Sequence, residues 1–202
     1  MKKINSAFIS VFNKENLGPL VSLLIKFNIK LYSSGGTKIA LEKLGCNVIS
    51  VEDITQYPSI LGGRVKTLHP KIFGGILNRR DSKSDLEDVE KYDIPSFDLV
   101  IVDLYPFEDT VKNTSNENEI IEKIDIGGIS LIRAAAKNYK EVMIIPSKES
   151  IPNCMSLIEK NNGHTSLDER LFFAKKAFEI SSHYDTNIFS WFDNDFDESL
   201  KI

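Results

Sequence analysis

Between Gly62 and Gly75 the sequence sets Arg64, Lys66, His69 and Lys71 among four glycines, Gly62, Gly63, Gly74 and Gly75. No apolar period of 3.6 or 2 runs through the segment, so it does not read as the buried face of a helix or strand. Glycine permits positive φ or a close approach to a ligand, and Arg64, Lys66 and Lys71 supply positive charge. An anion is the natural guest, although a solvated basic loop with turn glycines has the same composition. Ser33-Ser34-Gly35-Gly36-Thr37 lies between an apolar run and a helical pattern. Its amides and hydroxyls suit a phosphate at the positive end of a helix dipole. Thr37 as a simple helix cap is the competing reading. Ser10 and Lys14 add a hydroxyl and a cation after the first apolar run.

Three further residues carry proton or charge chemistry. Tyr105 directly follows the most hydrophobic run of the chain, with its ring expected against Pro106 or Phe107; Asp125 precedes Gly127-Gly128; Lys137 closes the segment after them. Each has a plainer role: aromatic packing for Tyr105, an N-cap for Asp125, a dipole-favoured lysine for Lys137. A straight helix from Gly128 to Lys137 takes nine steps of about 1.5 Å, or ~14 Å. Asp125 and Lys137 then meet only through a substrate, or if the lysine reaches back or the helix bends. His69, held by Pro70, is expected to make a structural hydrogen bond.

The elements that must position these residues alternate. Ala7–Phe12, Ile29–Ser33, Val48–Val51, Asp98–Leu104 and Val142–Ile145 read as strands, and 17–27, 37–44, 84–92 and 131–137 read as helices. Residues 148–160 and 167–192 are helical by the same pattern, while 57–80 has little periodicity and reads as a long functional loop. The alternation predicts an α/β fold with a mainly parallel sheet and helices on both faces. Ligands of such sheets bind at the carboxyl ends of the strands, where every segment named above falls.

Composition narrows the function. At 202 residues and a formal net charge of −4, the chain suits one domain and disfavours bulk nucleic-acid binding. Cys46 and Cys154, the two cysteines, have no CxxC spacing and read as free thiols, so neither a disulfide framework nor a metal site is expected. No apolar run approaches the ~18 residues of a membrane span, and no secretory leader is recognisable. A cytoplasmic protein is expected.

Taken in order, Ser33–Thr37, Gly62–Lys71 with Gly74-Gly75, Leu104–Phe107, Ile124–Gly128 and Leu131–Asn138 strongly resemble the IMP cyclohydrolase domain of the bifunctional purine-biosynthesis enzymes. The resemblance runs through Tyr184-Asp185 and implies the methylglyoxal-synthase-like fold, a three-layer α/β arrangement with C-terminal helices. It implies closure of the purine ring of formyl-AICAR, with loss of water, to give inosine monophosphate. Carried over by matching motif, Lys66, Tyr105, Asp125 and Lys137 form the catalytic set, with amides near Asp125–Gly128 stabilising an oxyanion. Ser10, Lys14, Ser34, Gly36, Thr37, Arg64, Thr67, Asp103, Gly127 and Gly128 bind substrate. No metal or other cofactor is implied, and a homodimer is.

Three departures from the family pattern stand out. Ser10–Asn16 carries Phe12 and Asn13 in place of a serine and an aspartate, and Asp103 stands where asparagine is usual. The long transformylase half is not within these residues, so residues 1–192 are expected to form the cyclohydrolase domain, 193–202 an acidic tail, and AICAR transformylation to need a separate activity. Two other functions fit the fold class: a regulatory domain that binds a nucleotide without transforming it, and methylglyoxal synthase. Retention of the four side chains argues against the first. The second uses an acidic Gly-Gly-Asp type segment that this sequence lacks.

Overall fold

A computed structural model describes residues 1–15 and 17–194. In chain order the elements are β1 (Lys2–Lys3), β2 (Ser6–Val11), α1 (Leu17–Lys26), β3 (Lys30–Ser33), α2 (Gly35–Lys43), β4 (Val48–Ser50) and α3 (Val51–Thr55). They continue with α4 (Pro70–Leu77), α5 (Lys83–Lys91), β5 (Leu99–Asp103), α6 (Phe107–Asn113), α7 (Glu117–Ile121) and α8 (Gly127–Lys137). The last are β6 (Met143–Ile145), α9 (Ile151–Lys160), β7 (His164–Thr165) and α10 (Leu167–Asn194). Most of the acidic tail expected from the sequence lies outside the described residues.

The main sheet has the order β4-β3-β2-β5-β6, and every neighbouring pair in it is parallel. Strands buried on both faces need continuous apolar runs rather than alternation. Phe8, Ile9, Leu99, Val100, Ile101 and Ile144 supply them and are almost wholly buried. One helical layer gathers α4 and α10 on α8, which lies against β5 and β6; the other gathers α2 and α9 on α1, with α2 against β2 and β3. Within the main sheet the chain starts at β2, builds outward to β4, and returns on the opposite side of β2 as β5. That reversal opens a crevice beyond the carboxyl ends of β2 and β5, the topological switch point where open α/β sheets bind ligands.

The entry to β5 is fixed by Asp98, whose carboxylate accepts the amides of Asn5 and Ser6 at 2.7 and 3.2 Å and pairs with Arg80. Cys154 on α9 is fully buried, and burial pushes its thiol up to about 12.

The structure corrects the sequence reading in several places. The supposed long loop contains a 3-10 turn at Leu61–Gly63 and the helix α4. His69 caps α4 by accepting the Lys71 amide at 3.2 Å, and Pro70 occupies the first turn. Gly74 and Gly75 argue against a helix by propensity, yet here Gly75 is a packing requirement. A Cβ there would stand 2.3 Å from the Pro95 carbonyl oxygen and 2.7 Å from the Phe97 ring. The polar helices α6 and α7 and the small antiparallel pair β1–β7 were not anticipated. A second apolar cluster of Phe107, Ile120 and Tyr184, with Ile124, Ile188 and Trp191 against it, lies apart from the main core.

Candidate active site

The crevice is a cleft of about 630 Å³. Ser10 and Val11 from the end of β2, Ser34 after β3 and Asp103 at the end of β5 line it. Gly36 and Thr37 of α2, residues 62–64, Lys66, Thr67, Tyr105 and Ile124 through Gly128 line it too, as do Phe12, Lys14, Ile121 and Glu122. Every site residue named from the sequence lines this cleft except Lys137. Lys137 is exposed at the far end of α8, and ten helical steps of about 1.5 Å place it ~15 Å from Gly127. One copy of the chain does not bring Lys137 to the other three.

At one end of the cleft the polar groups sit on the sheet edge and the start of α2. The Ser34 hydroxyl is buried and has no hydrogen-bond partner among the described residues. A buried hydroxyl without a partner loses its hydration for nothing in return, and this one stands at the N-cap of α2, where free amides and the helix dipole favour an anion. Thr37 has a different task from the one expected. Its Oγ1 accepts the Val11 amide at 3.1 Å and donates to the Val11 carbonyl at 2.9 Å, so its hydroxyl ties α2 to β2. Lys14 folds back onto the carbonyls of Val11 and Phe12. Burial lowers its pKa, with nearby Asp103 opposing that shift.

Lys66 and Asp125 line the same cleft, and the Lys66 side chain runs beside Gly35, where a Cβ would lie 4.0 Å from Lys66 Cε. Lys66 Nζ donates to the Gly63 carbonyl at 2.8 Å. Gly63 has φ +92°, a conformation open to glycine. Asp125 Oδ1 accepts the Gly128 amide at 2.6 Å, so that amide is already engaged and is not a free oxyanion donor as the resemblance implied. Glycine is needed at 128 because a Cβ would lie 2.4 Å from Asp125 Oδ2. Burial raises the Asp125 pKa; the Gly128 amide, Lys66 and the Tyr105 amide oppose the rise, and Asp103 adds to it. Asp103 is itself raised by burial, although its carboxylate accepts the Asn13 amide at 2.9 Å.

Tyr105 packs edge-on against Phe12, with ring centroids 5.4 Å apart. Lys123 Nζ lies over both rings, 5.7 Å from Phe12 and 5.6 Å from Tyr105. Arg64 pairs with Glu122 at the mouth, where both are largely exposed. Sequence reasoning missed Phe12 as a wall of the site, and missed Glu122 and Lys123 altogether. An aromatic residue directly after a β-strand carries no distinctive spacing that would have revealed it.

With this geometry in place, comparison with known proteins is informative. The family model described as the MGS-like domain matches residues 16–130, more than half of the chain. The chain belongs to the MGS-like family. A second model, described as the AICARFT/IMPCHase bienzyme, matches residues 135–202. A bifunctional purine biosynthesis protein PurH from Bacteroides thetaiotaomicron is 54% identical over 192 residues, covering 95% of this chain and 38% of that protein. Its counterpart from Caldicellulosiruptor bescii is 43% identical over 187 residues, covering 92% and 36% respectively. The chain therefore spans little more than a third of the length of these relatives. A solved structure described as the crystal structure of ForH superposes with a TM-score of 0.79 at 32% identity, covering 93% of this chain and 98% of that one. The expected α/β MGS-like fold is the one observed. Among the described residues no helix is long and apolar enough to cross a membrane.

Proposed function

We propose that this chain is an IMP cyclohydrolase, closing the purine ring of formyl-AICAR with loss of water to give inosine monophosphate. The observation that carries this reading is one cleft lined both by a buried, unpartnered Ser34 hydroxyl at an anion-favouring helix start and by a desolvated Asp125 within electrostatic reach of Lys66. A nucleotide with its phosphate on the first group presents its base to the second. The similarity to the PurH proteins supports the same substrate.

The reaction asks for little covalent help because both partners are on one molecule. The site must hold the carboxamide nitrogen against the formyl carbon, take a proton and steady the oxygen charge that develops. In our assignment the carboxamide nitrogen bonds to the formyl carbon and Asp125 takes the proton from that nitrogen. Burial raises the Asp125 pKa towards working pH, which strengthens it as a base. Lys66, opposite in charge to the developing oxyanion, stabilises it and protonates it. The oxygen then leaves as water, its second hydrogen coming from the formamido nitrogen as the new C=N bond forms. Tyr105 holds the substrate plane, and Asp103, Ser10 and Lys14 contact the remainder of the nucleotide, with Arg64, Thr67 and the glycines at 36, 127 and 128 shaping the walls.

The catalytic unit on this reading is residues 1–192, acting in the cytoplasm, where the two buried free cysteines stay reduced. The exposed Phe172, Phe178, Phe189 and Phe192 of α10 support a homodimer. Mixing the purified chain with formyl-AICAR and following ultraviolet absorbance tests the reading. The purine spectrum should appear with enzyme-dependent first-order kinetics, and an unchanged spectrum would reject it.

A further inference from the structure

Tyr184 of α10 makes hydrogen bonds to the loop that carries Asp125. Its ring is 8% exposed and sits in the second apolar cluster, with Phe107 at 6.2 Å between centroids. Its hydroxyl makes two hydrogen bonds to one short stretch of loop: it donates to the Lys123 carbonyl at 2.8 Å and accepts the Asp125 amide at 2.7 Å. A phenol that donates once and accepts once fixes both ends of a three-residue segment. Lys123 carries the ammonium above the Phe12 and Tyr105 rings, and Asp125 carries the carboxylate that Gly128 orients.

We infer that Tyr184 is a positioning residue for the cyclisation, setting through one hydroxyl the placement of the Asp125 carboxylate and of the Lys123 ammonium over the aromatic wall. The inference rests on the proposed role of Asp125. Burial pushes the phenol up to about 12, so it stays a neutral donor throughout the working pH range. Tyr184 touches no substrate atom in this scheme. Its importance comes from geometry, since displacement of a reacting group by about 1 Å can cost ~10² in rate.

Tyr184→Phe keeps the ring and its packing while deleting the hydroxyl. With formyl-AICAR we expect kcat to fall by about 10- to 100-fold with KM within about 3-fold, because the phosphate end is untouched. The groups facing the Asp125 carboxylate are Lys66, Asp103, the Tyr105 phenol and the Gly128 amide. A loosened loop admits water to this set, so the acid limb of kcat should move to lower pH. Trp191→Leu, which thins the same cluster by removing a ring at 6.1 Å from Phe107, serves as the packing control. It should lower the melting temperature and leave that limb in place. Amide hydrogen exchange over residues 120–128 reads the anchor without any activity and should quicken by about 10-fold in Tyr184→Phe. Wild-type kcat and pH limb in Tyr184→Phe would overturn the inference, as would unchanged exchange. A wild-type chain that fails to cyclise would instead overturn the proposed function and leave the exchange result to decide whether Tyr184 anchors the loop.

Discussion

At the phosphate end of the cleft the groups that meet the ligand stand on strand ends and on the first turn of α2, stitched together by Thr37 and the main chain of Val11. At the ring-closing end Asp125 stands on a loop, tied to Gly128 and Tyr184, while Lys66 reaches in from a second loop, resting on the Gly63 carbonyl with its stem beside Gly35. The difference follows from what each end must do. Phosphate recognition needs fixed dipoles and an unfilled hydrogen bond, which a sheet edge supplies at no cost in mobility. Proton transfer needs a carboxylate held partly out of water, and a loop folded over the cleft achieves that. The first end should therefore govern affinity and the second rate.

The largest expected effect breaks the ring-closing end. Asp125→Asn removes the base yet keeps an oxygen for the Gly128 amide, so kcat should drop by ~10³, in the range general-base catalysis contributes, with little change in nucleotide affinity by calorimetry. Lys66→Ala removes the charge that steadies the oxyanion and should lower kcat by ~10²; because the Lys66 stem runs beside Gly35, binding of inosine monophosphate should weaken with it. Loss of affinity matching the loss of rate in Asp125→Asn would erase the division between the two ends.

A smaller effect tests the phosphate end. Ser34→Ala removes one hydrogen bond to a charged group, about 1.5–3 kcal/mol, so KM and the Kd for inosine monophosphate should rise by about 10- to 100-fold while kcat holds. Because the hydroxyl is unpartnered without ligand, the unliganded variant should be no less stable than the parent in thermal unfolding. An equal Kd for inosine and inosine monophosphate would show that the segment is only a turn.

Stability against pH sharpens the contrast further. Burial raises the Asp125 and Asp103 carboxyls above their ordinary value of 3.8. Between that value and the raised folded one, the folded chain holds protons that the unfolded chain has released, so stability falls as pH rises through the window. Asp125→Asn should thus melt at a higher temperature than the parent above the window, with the gain vanishing below pH 3.8. A variant that is inactive but more stable would show that the catalytic end is strained for its task; a lower melting temperature at neutral pH would contradict the burial argument. The smallest effect belongs to the mouth: Glu122→Gln breaks the exposed pair with Arg64 and should change stability by less than about 1 kcal/mol and KM by no more than about 3-fold, by denaturant titration and steady-state kinetics.

Much of this arrangement was legible in the residues. The β2, β3 and β5 runs are apolar enough to show a parallel sheet, and the glycine-rich segments mark its carboxyl edge, so Lys66, Asp125 and Ser34 could be placed together before any coordinates. Helix α4 could not, because Gly75 opposes a helix locally and is required by the Pro95 carbonyl and the Phe97 ring pressing on it. The Thr37 tie to Val11 and the contact of Tyr105 with Phe12 are pairings between segments distant in sequence. Motif spacing carries no record of such pairings. Lys137 shows the opposite failure: the motif named it, and helix geometry keeps it away from the cleft of its own chain.

Cys154, sealed beneath α9 with a thiol that scarcely ionises at neutral pH, gives this molecule a built-in clock for opening. A thiolate is the reactive form and a buried thiol is inert, so an alkylating reagent can reach this sulfur only while the packing around it is breached. The labelling rate measured against reagent concentration would then report how often the domain opens, in hours or days rather than in melting temperature. Bound nucleotide would slow that clock to the extent that the cleft and the core breathe as one body.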